Sequence, residues 1–266
     1  RDDQEVSRRV PRAVHKEAVK ILNQLTSRID KKWVPRDAEG KVYPNFTLDE
    51  IDFSKGNWMI LARTNKLLEN ISEHFYFLGV RFTGKTNKYL PNAILSAYQI
   101  WTRLNQGAFV SPEEAERVYE YLLVKKGHVK RGYSNGKTIQ RETSVDLEKL
   151  KNEHGLLIDG DWKQLHFPED TKEYMQTLLE RGDTLMEKSK IQLLTLHGSK
   201  GKECENICLF TDYGVEGQDE FIYRNAYENP DAEHRLFYVG TTRAKENLYV
   251  MQPTSDYYYT IGGPIV

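Results

Sequence analysis
The segment Thr195-Leu196-His197-Gly198-Ser199-Lys200-Gly201-Lys202-Glu203 sets a histidine, two lysines, a serine, a glutamate and two glycines behind an apolar stretch. Glycine lets backbone N–H groups approach a phosphate closely, and lysine adds charge to hold it. Taken alone, the simpler reading is a basic surface loop. A second segment, His234-Arg235-Leu236-Phe237-Tyr238-Val239-Gly240-Thr241-Thr242-Arg243-Ala244-Lys245, places an arginine at the end of a predicted helix. Arginine is always charged and can stabilise charge that develops in phosphoryl transfer. Its simpler reading is a surface ion pair.

Two other segments imitate nucleotide chemistry. Gly79-Val80-Arg81-Phe82-Thr83-Gly84-Lys85-Thr86 fits G-x-x-x-x-G-K-[ST] literally, so that Lys85 would hold phosphates. Its setting argues against this. A helical stripe precedes Gly79, and Asn87-Lys88-Tyr89-Leu90-Pro91 follows Thr86 where a helix should begin. Ile207-Cys208-Leu209-Phe210-Thr211-Asp212 imitates a strand ending in a metal-binding aspartate.

The elements that must position these residues follow from periodicity. Helices are predicted over 11–27, over the stripe Leu67, Leu68, Ile71, Phe75 and Leu78, and over 92–106, 112–124, 168–186 and 231–243. Gly79 is placed to end the second of these. Ser111-Pro112-Glu113-Glu114 is a good helix start. Strands are predicted at 58–62, 191–196, 206–210 and 247–251, with a short one at Val80-Arg81-Phe82. Residues 30–56 read as a long connection. Strands alternating with helices imply an α/β sheet with ligand loops at strand ends. The helical middle reads as an insertion.

Composition bounds the class. The 266 residues are 39% hydrophobic and 29% charged, a globular balance of one to two domains. There is no apolar run of about 18 residues, so no membrane partner is expected. The start Arg1-Asp2-Asp3-Gln4 shows no secretory signal. Cys204 and Cys208 lie in one short segment, which fits core thiols in a reducing, cytoplasmic compartment better than a disulfide framework. With 38 basic against 39 acidic residues, any polyanion must be held by local patches. One such patch is the basic run Lys125 to Lys137, with a turn at Asn135-Gly136, and its simpler reading is a solvated hairpin. Tyr257-Tyr258-Tyr259 reads as a packed tail ahead of a base-stacking platform.

Thr195–Glu203 and Arg235–Ala244, in this order and each followed by a strand, closely resemble motifs V and VI of superfamily 1 helicases of the UvrD/Rep kind. Trp58–Asn65 resembles the family's strand ending in R-[ST]-N. Ser7-Arg8-Arg9-Val10-Pro11 resembles its N-Y-R-S segment, with Arg8 in place of the family's tyrosine. The resemblance covers roughly 1–90 and 188–252. It implies a RecA-like parallel sheet flanked by helices with a mainly helical inserted subdomain. The discontinuous second RecA-like motor domain would span 1–91 and 188–266, with the insertion at 92–187.

For the site, the resemblance implies that Arg9 and Arg243 act as arginine fingers on the γ-phosphate. It puts Gly201 and Glu203 beside the nucleotide, and Arg63, Asn65, Thr195 and His197 along a single-stranded DNA path. These types suit their duties: carboxylate for ribose hydroxyls, guanidinium for phosphate, and Asn and His for backbone or stacked bases. Asn65 is equally well placed as a helix N-cap, and both roles can hold at once. Lys200 and Glu203 match the branch that moves 3′ to 5′. The family's phosphate loop, D-E-x-[DQ] carboxylates and Q-motif glutamine lie in its first RecA-like domain and are not recognisable here. The expectation is the C-terminal portion of an ATP-dependent helicase, with ATP and Mg²⁺ held mainly by the first domain and an isolated chain inactive on ATP. Its partners would be single-stranded DNA, single/double-strand junctions and that first domain. The alternatives are a nucleic-acid-binding or inactive motor module and, less favoured, a self-contained hydrolase using Lys85.

Overall fold
The computed structural model describes residues 7–28, 33–134 and 136–265. The chain divides into two compact units, Arg1–Asn87 with Ser189–Val266, and Lys88–Lys188.

The first unit is built on five parallel strands: β1 (Lys41–Phe46), β2 (Trp58–Ala62), β3 (Ile191–Thr195), β4 (Cys204–Leu209) and β5 (Ala244–Met251). Their order across the sheet is β1-β5-β4-β2-β3. This is the RecA-like parallel α/β architecture. Strand β2 is buried along its whole length, as its uninterrupted apolar run requires of a strand covered on both faces. It pairs with β3 from Trp58↔Ile191 to Ala62↔Thr195, and with β4 from Trp58↔Asn206 to Leu61↔Leu209.

Alternate residues of β2 serve the two faces. Met59 and Leu61 join a core with Val14 and Ile21 of α1 (Arg12–Leu22) and Phe237 of α8 (Pro230–Thr241). On the other face Trp58 lies against Phe53, which in turn meets Phe75 of α2 (Asn65–Phe77). Helix α2 ends as the sequence predicts. Gly79 takes φ +57°, its amide donates to Tyr76 and the Val80 amide donates to Phe75, closing a Schellman cap.

Several expectations change. The supposed connection 30–56 contains strand β1, which pairs with β5 at the sheet edge from Lys41↔Asn247. Pro44 hides it in the sequence, because proline is tolerated only where one side of a strand needs no ladder bond. The short strand at Val80-Arg81-Phe82 is instead a single bridge, Thr83↔Gln192. The N-cap of α2 is Thr64, whose hydroxyl accepts from the Leu67 amide at 3.2 Å; Asn65 is the first helical residue. Helix α7 (Asp219–Glu228) is unpredicted. Its stripe is interrupted by the exposed Phe221 and Tyr227.

The second unit packs α3 (Asn92–Asn105), α4 (Pro112–Tyr119), α5 (Leu147–Glu153) and α6 (Glu169–Glu180). Trp101, Tyr119, Phe167 and Tyr174 fill its core. The capping box is formed, with the Ser111 hydroxyl accepting from the Glu114 amide and the Glu114 carboxylate accepting from the Ser111 amide. The predicted helices 112–124 and 168–186 stop early, at Tyr119 and Glu180. The seven residues of α5 are too few to show a period. In the basic run, Val129 is buried and makes an isolated antiparallel bridge to Leu156, so the segment is anchored to a residue just after α5 rather than forming a hairpin on itself. Asn135 lies outside the described residues. Among the described residues no helix is long and apolar enough to cross a membrane.

Candidate functional site
Because all strands run the same way, residues just before β4 and β5 lie at one end of the sheet, and residues just after β2 and β3 lie at the other. The candidate residues separate accordingly.

At the N-terminal end, Arg243 sits between α8 and β5 and is only 8% exposed. Its Nε donates to the Val239 carbonyl at 2.8 Å and its Nη1 to the Lys202 carbonyl at 3.0 Å. Those bonds tie the end of α8 to the loop that carries Gly201 and Glu203. Burial, and then the neighbouring Arg9, pull the Arg243 pKa below its usual value. Arg9 arrives from the segment before α1. The Ser7 hydroxyl accepts from the amides of Arg9 and Val10 at 3.2 and 2.9 Å, and Arg36 Nε donates to the Arg9 carbonyl at 2.9 Å. Glu203 lies between the cations, 3.7 Å from Arg9 Nη1 and 3.3 Å from Lys245 Nζ. The Arg9 Nε is buried with no hydrogen-bond partner. Arg9 and Lys245 thus share one carboxylate, with Arg243 near enough to feel the charges of Arg9 and Glu203, and this concentration of cations with an unspent donor suits a polyanionic ligand.

Tyr238 belongs to the same cluster. Burial raises its phenol pKa, while Arg9 and Arg243 pull it down. Trp33 meets it edge-on at 5.8 Å. Gly201 holds φ +80°, with open space around the position a Cβ would take, so glycine is needed there for backbone conformation rather than for room.

At the C-terminal end, Ala62 pairs with Thr195, and the Leu196 amide donates to the Ala62 carbonyl at 2.9 Å. This brings Arg63 and Asn65 beside Thr195 and His197. The Thr195 hydroxyl accepts from the Gly198 amide at 3.1 Å and turns the chain, leaving His197 exposed. Asn65 is exposed as well. Arg63 is differently placed. Its guanidinium forms two bonds to the carboxylate of Glu233, Nε–Oε2 at 3.1 Å and Nη2–Oε1 at 2.8 Å.

Helix α8 reaches both ends, with Glu233 in its first turn and Arg243 just beyond its last residue; twelve residues span about 18 Å. Glu233, Tyr238 and Lys245 stand beside the candidate residues and were not singled out by sequence reasoning. Tyr238 and Lys245 lie within the segment His234–Lys245, but nothing local marks them. Glu233 looked like one more surface acid at the start of a helix.

The two imitations resolve structurally. Gly79 closes α2, and Gly84 packs so closely on β3 that a Cβ would lie 2.8 Å from the Leu193 carbonyl oxygen, so this segment has no strand–loop–helix geometry for phosphate. Asp212 is fully buried, and one of its oxygens accepts from the amides of Thr254 and Ser255 at 2.7 and 2.9 Å. It anchors the chain after β5. Tyr259 stacks on Phe237 at 4.0 Å and is buried, so it belongs to the core. Cys204 and Cys208 are free thiols, and burial raises both of their pKa values.

Residues 161–254, which include both loop segments and α8, match the UvrD-like helicase C-terminal domain. This part of the chain is similar to that family. A Mycoplasma capricolum protein described as a probable DNA helicase II homolog is 28% identical over 148 residues, 53% of this chain and 20% of that protein. The ATP-dependent DNA helicase Rep of Escherichia coli is 36% identical over 81 residues, 29% of this chain and 11% of that protein. Rep of Salmonella typhimurium is 35% identical over the same length. The matched part therefore spans a fifth or less of each relative. The UvrD-like match begins after Arg9 and Arg63, so their placement beside Glu203 and Glu233 rests on the fold alone.

Proposed function
We propose that the chain is the second motor domain, with its inserted subdomain, of an ATP-dependent DNA helicase that moves 3′ to 5′. The observation that carries this reading is the pairing of Arg9 and Lys245 with Glu203, with Arg243 within reach of the charges of Arg9 and Glu203 and the buried Arg9 Nε unsatisfied. The UvrD-like match and the helicase names of the relatives support it.

In this reading ATP, with Mg²⁺ held mainly by a first motor domain, supplies the phosphoryl group whose transfer to water drives movement. Arg9 and Arg243 face the γ-phosphate from across the cleft and stabilise the charge that builds on its oxygens. The carbonyls of Val239 and Lys202 hold Arg243 in place, so it loses little freedom on engagement. Glu203 accepts from a ribose hydroxyl, and Gly201 lets the loop pass close to the nucleotide. At the opposite end Asn65, Thr195 and His197 contact single-stranded DNA, with Arg63 beside them. The 3′-to-5′ direction rests on Lys200 and Glu203 in the loop.

The test is ATP hydrolysis by the full-length protein on single-stranded DNA. Arg243→Ala should lower kcat by about 10³-fold or more, as for other arginine fingers, while leaving KM for ATP within a few fold. The isolated chain should show no turnover. A kcat that survives both Arg243→Ala and Arg9→Ala would remove the finger assignment, whereas no turnover by the full-length parent protein would leave a module that only binds nucleic acid.

A further inference from the structure
We propose that Glu142, Glu153 and His154, in the unit Lys88–Lys188, form a three-ligand site for a divalent transition ion of the zinc type. One ligand atom from each lies within 4.8 Å of the other two. The imidazole is the decisive member. His154 is only 3% exposed, and its Nε2 is buried with no hydrogen-bond partner. That nitrogen points toward Glu142, with Oε1 3.6 Å away. Ligand atoms around a tetrahedral zinc, with bonds of about 2.0–2.2 Å, lie about 3.4 Å apart, so this pair needs little movement.

The surroundings can hold the ring in the tautomer a ligand requires. Nδ1 shares a hydrogen bond with the Thr138 hydroxyl at 3.0 Å. With Nδ1 as donor, Nε2 carries the lone pair and faces a carboxylate, a repulsive arrangement that a cation between them would relieve. The backbone is held as well, because buried Tyr119 donates its hydroxyl to the His154 carbonyl at 3.0 Å. Lys149 Nζ occupies the other Glu142 oxygen at 2.5 Å, leaving Oε1 for the ion. Glu153 is exposed at the end of α5 and can close the third position by a rotamer change. Three protein ligands leave a fourth position for water, and imidazole with carboxylates favours zinc over magnesium. The ion would clamp the loop at Glu142 to the end of α5.

The experiment is calorimetric titration of the metal-stripped chain with Zn²⁺, with Co²⁺ absorption as a second readout. The expected result is one Zn²⁺ per chain and a visible Co²⁺ d–d band. Glu153→Gln, at an exposed position that leaves folding intact, should weaken binding about tenfold or more, as should His154→Asn. Lys149→Gln should tighten it, because a neighbouring positive charge is removed. Glu148→Gln, an exposed acid on the same helix, should leave it unchanged. No binding by the parent chain, or binding that Glu153→Gln leaves intact, overturns the site and leaves His154 as a histidine paired directly with Glu142.

Discussion

Arg63 and Glu233 join the end of β2 to the first turn of α8 through two parallel N–H···O bonds of 3.1 and 2.8 Å. The Glu233 side chain is 9% exposed and that of Arg63 is 22% exposed, so the pair is shielded from water without being sealed. A charge held in this way depends on its partner, because either one left alone keeps its desolvation cost. The same helix then ends beside Arg243. The DNA-facing and nucleotide-facing ends of the proposed motor are therefore linked by one rigid element.

Glu233→Gln should leave Arg63 charged and half-paired. We expect a loss of about 2 kcal/mol in chemical denaturation, below the 3–5 typical of a fully buried pair because Arg63 retains some water. Affinity for single-stranded DNA should rise, since a carboxylate is lost and a guanidinium released beside the proposed track. Fluorescence anisotropy with a labelled oligonucleotide reads this, and a weaker complex would count against Arg63 facing DNA.

Gly240→Ala should destabilise the chain. A Cβ there would lie 2.4 Å from Leu196 Cδ2, and Leu196 is fully buried. Overpacking of this kind costs about 1–3 kcal/mol. The double variant Gly240→Ala/Leu196→Ala should cost less than the two single losses added. Strict additivity in urea midpoints would show that the clash is not the cause.

Thr64 and Asn65 are adjacent and should separate cleanly. Thr64→Ala removes the cap of α2 and should cost about 1 kcal/mol with little change in DNA binding. Asn65→Ala, at an exposed first helical position, should change stability by about 0.5 kcal/mol or less while weakening single-stranded DNA binding. Equal stability losses for the two would return the capping duty to Asn65.

Two buried histidines should make the chain acid-sensitive. Burial holds His234 below the ordinary histidine value of 6.5, against the opposing pull of Asp231 and Glu233. Burial, then Lys126, His166 and Lys172, do the same to His128. As pH falls through about 6.5 the unfolded chain takes up protons that the folded chain resists. Stability from the neutral rings is therefore full above that pH and declines below it, toward the depressed folded-state values. Unfolding midpoints at about pH 8 and about pH 5.5 should show the loss. His234→Asn should shrink it, and an unchanged difference in the His234→Asn/His128→Asn double variant would contradict the assignment.

The local pattern of residues was enough for part of this architecture. The run Trp58-Met59-Ile60-Leu61-Ala62 can satisfy its apolar side chains only as a strand covered on both faces, and it is one. Gly79 was legible as a helix end because a left-handed cap favours glycine. The loop Thr195–Glu203 and the stretch Arg235–Ala244 carried the UvrD-like signal in contiguous residues. These features depend on neighbours a few positions apart, which a linear reading can see.

The rest depends on which strands lie side by side. Strand β1 was hidden because Pro44 and a left-handed Asn45 disguise an edge strand that pairs with distant β5. The order β1-β5-β4-β2-β3 carries Arg9 to Glu203 and Glu233 to Arg63, pairings set by sheet topology rather than by spacing. Parallel strands also put the residues before β4 and β5 and those after β2 and β3 at opposite ends, so the proposed nucleotide and DNA contacts divide. In the other unit, packing alone turns Glu142 toward the buried Nε2 of His154. Burial and long-range proximity come from many weak contacts made together, and no short stretch of residues encodes them.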